Sequence, residues 1–142
     1  MSLSGESSRS LDARALCISL EQGANAPSLA RAAVAGFSDG SEIAPARLAT
    51  LLLLVSEVVT NAVIHSTAPE RAEITLSARL TDSGAVRIEV TDAGEGFTPM
   101  PRDPSRPGGG YGLYLVEREA HSWGVDRQGG TRVWFELAAS AG

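Results

Sequence analysis

Cysteine, aromatic residues and runs of basic charge are all scarce in this 142-residue chain, and each shortage removes a class of protein. A single cysteine, Cys17, cannot close an internal disulfide, and with only His65 and His121 beside it the chain cannot build a cysteine/histidine metal centre. Cys17 reads instead as a small buried hydrophobe. The net charge is −5 and no cationic run is visible, which argues against direct nucleic-acid binding but leaves acidic patches able to face a basic protein. No apolar stretch is read as approaching the ~18 residues of a membrane span, and the N-terminus lacks a basic region followed by an apolar core. The expectation is a soluble cytoplasmic chain of one domain, long enough to bury a core and without internal repeats.

What is present falls into periodic segments. Residues 1–12 are serine-rich and read as a disordered tail, 13–138 as the domain and 139–142 as a short second tail. Leu16, Ile18 and Leu20 alternate with Cys17 and Ser19, predicting a short strand. A helix is predicted from Pro27 to about Phe37, and a second, too apolar to be exposed, from Pro45 to about His65. Alternation over 74–80 and 86–90, joined by Thr81-Asp82-Ser83-Gly84, predicts a hairpin. Phe97 to Gly110 has no periodicity and reads as a lid or binding loop. A helix from about Gly112 to Ala120, a turn at Trp123-Gly124 and a closing strand around Val133, Phe135 and Leu137 complete the chain. The fold class expected is an α/β (α+β) two-layer sandwich, a mixed and mostly antiparallel sheet with helices on one face.

The second helix carries chemistry. Glu57, Asn61 and His65 recur every four residues, so a carboxylate, an amide and an imidazole share one face of an otherwise apolar helix. Such groups need partners once they leave water, so the face either meets a ligand or metal or lies solvated at the helix rim. Asp92 follows at a strand end, with Gly94 and Gly96 permitting a tight turn or close approach by a flat ligand. Gly108, Gly110 and Gly112 then lead into a helix, whose unpaired N–H groups suit phosphate. No Lys-Ser/Thr follows, which excludes a P-loop, and the element order is not that of a dinucleotide-binding unit.

Taken together, E-x-x-x-N, D-x-G-x-G, G-x-G-x-G and Gly130-Thr131 entering the last strand resemble the GHKL (Bergerat-type) ATP-binding domains, with a histidine-kinase-like ATPase fold. Val55-Ser56-Glu57-Val58-Val59-Thr60-Asn61-Ala62-Val63-Ile64-His65 is most similar to the anti-sigma-factor serine/threonine kinases of that family. The resemblance implies ATP and Mg²⁺ as cofactors, with Glu57 as general base and Asn61 holding the metal against the phosphates. It implies that Asp92 accepts the adenine amino hydrogen and that Thr131 backs it. Gly94, Gly96, Gly108, Gly110, Gly112 and Leu113 would contribute to the nucleotide site, as would His65 unless it merely caps its helix. The implied partners are a sigma factor and an anti-anti-sigma protein, with a homodimer as the common form of the branch. Arg31 matches a residue that docks the sigma factor, but Pro27 stands where the branch has an acidic residue. The alternatives are a non-catalytic ATP-dependent binding regulator and a histidine-kinase catalytic domain.

Overall fold

Two periodicities build the molecule: strands that bury every second side chain and helices that bury one stripe. The computed structural model describes residues 15–65, 73–92, 111–126 and 130–140. In chain order they form β1 (Ala15–Glu21), α1 (Ala26–Ser38), α2 (Pro45–His65), β2 (Glu73–Leu80), β3 (Ala85–Asp92), α3 (Tyr111–Glu119), β4 (Ser122–Asp126) and β5 (Thr131–Ala138). The strands make one sheet in the order β1-β2-β3-β5-β4, and every neighbouring pair is antiparallel. The expectation of a mixed sheet is therefore corrected: no parallel pair occurs among the described strands.

The α+β two-layer sandwich itself holds. Ile74, Leu76, Ala78, Val86, Ile88, Val90, Val133, Phe135 and Leu137 share one face and are buried. Above them α1 lies over β1 and β2, α2 lies over β3 and β5, and α3 packs beside α2 and against β4. Leu51, Leu54, Val55, Val58 and Val59 of α2 close the core from the helix side. Full burial of each such side chain contributes about 1.5–3 kcal/mol, so this helix is the main ballast of the domain.

Local chemistry sets the joints. Pro27 sits in the first turn of α1, where its missing N–H costs nothing, and Gly40, at φ 81°, turns the chain beyond the helix end. In the β2–β3 hairpin Gly84 takes φ 86°, which L side chains rarely adopt, while Thr81 N–H bonds Ala85 O at 2.8 Å.

Four readings of the sequence change. Trp123-Gly124 is not a turn but the middle of β4, paired with Phe135 and Trp134; the strand is only five residues long and its glycine hides the alternation. Cys17 is exposed, because edge-strand β1 turns it to the helix-free face. Residues 45–64 are long and apolar enough, by length and composition, to cross a membrane. Arg47 and Glu57 are the only charges in that stretch, and its buried stripe packs into the core of this fold. The same helix exposes Leu53 and Ile64, so it is not buried all round.

The other face of the sheet carries no helix among the described residues. There the Arg87 guanidinium bonds Glu89 at 2.8 Å and Glu136 at 2.9 Å and stacks 4.1 Å from the centre of the Trp134 ring. Partial burial opposes the Arg87 charge, but hydrogen bonds to the two carboxylates outweigh it and raise the pKa further above its ordinary value. Trp134 in turn lies flat against Gly124, where an added Cβ would stand 2.7 Å from the indole nitrogen.

Candidate functional site

The site is assembled at one end of the helix-covered face. Asp92 is the last residue of β3, and the register places it between Ile74 of β2 and Thr131, the first residue of β5. Because directly opposed residues of an antiparallel pair point to the same face, Asp92 and Thr131 both turn toward the helix layer. Each is only 1% exposed, among strands whose other inward side chains are aliphatic or aromatic. Gly130, at φ 127°, leads the chain into β5 immediately before Thr131.

The layer above supplies the next groups. Residue 61 lies one helical turn beyond residue 57, so Glu57 and Asn61 fall on the same side of α2, the helix that packs on β3, β5 and α3. Glu57 is half-buried, whereas Asn61 is 8% exposed and its Nδ2 has no hydrogen-bond partner among the described residues. A buried amide nitrogen without a partner costs about 1–3 kcal/mol; a phosphate oxygen would satisfy its N–H groups, and an amide oxygen is by its chemistry able to ligate a cation. That is the observation on which a phosphate-bearing ligand and its Mg²⁺ fit these residues. Leu113 is buried on α3 and packs in the core, forming an apolar wall.

Five of the predicted residues thus have described side chains on the two layers that meet here: Glu57, Asn61, Asp92, Leu113 and Thr131. His65 is the final residue of α2, and Gly112 lies inside the first turn of α3, which begins at Tyr111. The His65 side chain lies outside the described ones. Gly94, Gly96, Gly108 and Gly110, and the whole predicted lid from Phe97 to Gly110, lie outside the described residues.

Arg31 is exposed on α1, and its guanidinium donates to Ser56 Oγ at 3.0 Å and, more loosely, to Ser28 Oγ at 3.4 Å. Ser56 immediately precedes Glu57, so this residue of the first helix is tied to the turn of α2 that carries the carboxylate. No periodicity foretells that bond, since it joins residues 25 positions apart. A recess of about 400 Å³ on the opposite face of the sheet, lined by Thr91, Asp126, Gly130 and Arg132, was likewise illegible, because it depends on β4. It is separated from Asp92 by the thickness of the sheet.

A family model for the histidine kinase-like ATPase domain matches residues 21–137. The chain belongs to that family. Membership implies an ATP-binding domain. Among solved structures, the RsbU and RsbW domains of a Mycobacterium tuberculosis protein superpose with a TM-score of 0.71 at 24% identity, covering 90% of this chain and 33% of that one. The SiaB–SiaC complex of Pseudomonas aeruginosa gives a TM-score of 0.65 at 12% identity and 95% coverage of both chains. These two likenesses are of fold. The histidine kinase domain of a blue-light activated kinase from Erythrobacter litoralis is 27% identical over 66% of this chain and 45% of that one, at a TM-score of 0.51. The chain spans about a third of the RsbU–RsbW chain, and no curated protein matches it.

Proposed function

We propose that this domain is an ATP-dependent serine/threonine-protein kinase of the anti-sigma-factor type, acting in the cytoplasm on an anti-anti-sigma protein and sequestering a sigma factor. The observation that carries the reading is the pairing of a half-buried Glu57 with a buried Asn61 one turn later, on the helix that packs over β3 and β5, the strands whose ends carry the buried Asp92 and Thr131. The resemblance to RsbW in fold, and the presence of a protein partner in the SiaB structure, support a protein rather than a small molecule as the acceptor.

In this reading ATP would supply the phosphoryl group, and Mg²⁺, held by Asn61, would neutralise its charge. Asp92 accepts a hydrogen bond from the adenine amino group, with Thr131 beside it, and Leu113 gives the base an apolar wall. Asn61 holds the phosphate end by its amide. Glu57 takes the proton of an incoming serine hydroxyl as that oxygen bonds to phosphorus and the bond to the leaving diphosphate breaks. Arg31, whose guanidinium donates to Ser56 Oγ, would by the resemblance lie on the surface that docks the sigma factor.

The test uses labelled ATP with a serine-bearing partner. Glu57→Ala is expected to keep ATP affinity within a few-fold and lose ~10² to 10⁴ in transfer rate, the usual worth of a general base. Asn61→Ala is expected to lose Mg²⁺-ATP binding and transfer together. Label on His121 or His65 would mean histidine-kinase chemistry, the activity of the Erythrobacter relative. Tight binding with no transfer, the same in Glu57→Ala, would leave a binding regulator.

A further inference from the structure

The outer side of a helix that packs on a sheet ordinarily carries charge, and the outer side of α2 does not. Ala46, Ala49, Leu53, Glu57, Thr60 and Ile64 follow one another at spacings of three or four and so share that side. Leu53 is 47% exposed and Ile64 61%. The other charged residue of the helix, Arg47, falls in line with the buried Leu51, Leu54 and Val58, and its Nε is buried. Glu57 is therefore the one acidic or basic side chain on the outer side.

The two exposed apolar residues are placed around that carboxylate. Leu53 lies one helical turn before Glu57 and Ile64 two turns beyond it, about 6 Å and about 10 Å away along the axis and about 16 Å from each other. Large exposed aliphatic groups with little charge among them have the composition of an interface centre rather than of free surface. Core packing does not require either residue, since the buried stripe of α2 is complete without them.

We propose that this side of α2 is the docking surface for the acceptor protein of the phosphoryl transfer, a folded protein that presents its serine within an apolar patch. The inference rests on the reading of Glu57 as general base and adds the surface that brings the serine to it. Leu53 and Ile64 seat the patch on either side, and the hydroxyl enters between them. The serine oxygen then bonds to the γ-phosphorus of ATP as its proton passes to Glu57 and ADP leaves. Two anchors spread along one straight helix match a rigid surface, so the acceptor is recognised by its folded shape and not by a charged sequence around the serine. Other occupants fit less well. A second copy meeting this patch about a two-fold axis would set one Glu57 against the other, and like charges repel. An anionic bilayer calls for cations, and this side has none.

The probes are the folded serine-bearing protein that takes label from the native chain and a short peptide carrying the same serine. Leu53→Glu and Ile64→Glu, at exposed positions, are each expected to raise the KM for the folded acceptor at least tenfold, the scale set by losing a buried aliphatic side chain. Tm, Mg²⁺-ATP affinity and acceptor-free ATP hydrolysis should stay near native, and Leu53→Met and Ile64→Val should keep a near-native KM. The peptide should be a poor acceptor, equally poor with the native chain and both Glu variants. A KM indifferent to both Glu substitutions, or a peptide as good as the folded acceptor, would overturn the docking surface and leave Glu57 as base. So would a loss of ATP affinity or hydrolysis that accounts for the whole effect. Binding to phosphatidylserine vesicles, or a dimer in sedimentation velocity, that Leu53→Glu abolishes would give the surface to a membrane or to a second copy instead. Glu57→Ala that lost rate at an unchanged KM would support the base alone, whereas no label on any protein would end the kinase reading and this inference with it.

Discussion

The two faces of the sheet solve the problem of polar groups in opposite ways. On the open face Arg87, Glu89, Glu136, Arg132 and Asp126 satisfy one another, and Trp134 is covered by Arg87 and seated on Gly124. On the helix-covered face the side chains are apolar until the end of β3 and the start of β5, where Asp92 and Thr131 are buried beneath the helix carrying Asn61 and its unpartnered Nδ2. A polar network that closes on itself holds a sheet together. A buried amide donor left open is kept for something else, because a fold gains nothing from desolvating it.

Consecutive residues sharpen this contrast. Phe135 is fully buried against the helices while Trp134, one position earlier, faces out. Phe135→Ala is expected to cost about 3–5 kcal/mol in denaturant unfolding, through lost burial and the cavity left behind. Gly124→Ala should cost about 1–3 kcal/mol, since the new methyl must displace the Trp134 ring. It should leave ATP affinity near native, because the ring lies on the far side of the sheet from Asp92. Arg87→Ala should cost about 1 kcal/mol, and that difference should shrink in high salt, because Glu89 and Glu136 keep access to water. A Gly124→Ala variant that lost nucleotide affinity without losing stability would show the faces to be coupled rather than separate.

Much of this was legible in the residues, for identifiable reasons. The helix from Pro45 to His65 was readable at both ends because Pro45 opens it and its apolar period is continuous. The β2–β3 hairpin was readable because Gly84 marks the turn between two alternating runs. The spacing of Glu57 and Asn61 put them on one helix face, and the resemblance named Asp92 and Thr131, but the pairing of Asp92 with Thr131 was not legible, since it depends on β5 entering between β3 and β4. β4 was missed because five residues around a glycine carry too little pattern to separate from a turn. Cys17 was misplaced because alternation gives two faces without saying which one the helices cover. The apolar length of α2 was underrated because Arg47, Thr50, Ser56, Glu57, Thr60 and Asn61 are scattered along a stretch whose mean hydropathy still passes as a membrane span.

The central claim is that the helix-covered end of the sheet, and not the charged open face, is built for adenine nucleotide. Titration calorimetry of the native chain with Mg²⁺-ATP and Mg²⁺-GTP, repeated with Asp92→Asn, tests it most directly. Guanine presents a carbonyl where adenine presents an amino group, so it would meet the Asp92 carboxylate acceptor to acceptor. A hydrogen bond to a charged group is worth about 1.5–3 kcal/mol, which corresponds to a preference for ATP of roughly ten- to a hundredfold. The account predicts that preference in the native chain and its narrowing in Asp92→Asn. Equal affinity of the native chain for both nucleotides, or no binding of either, would contradict it.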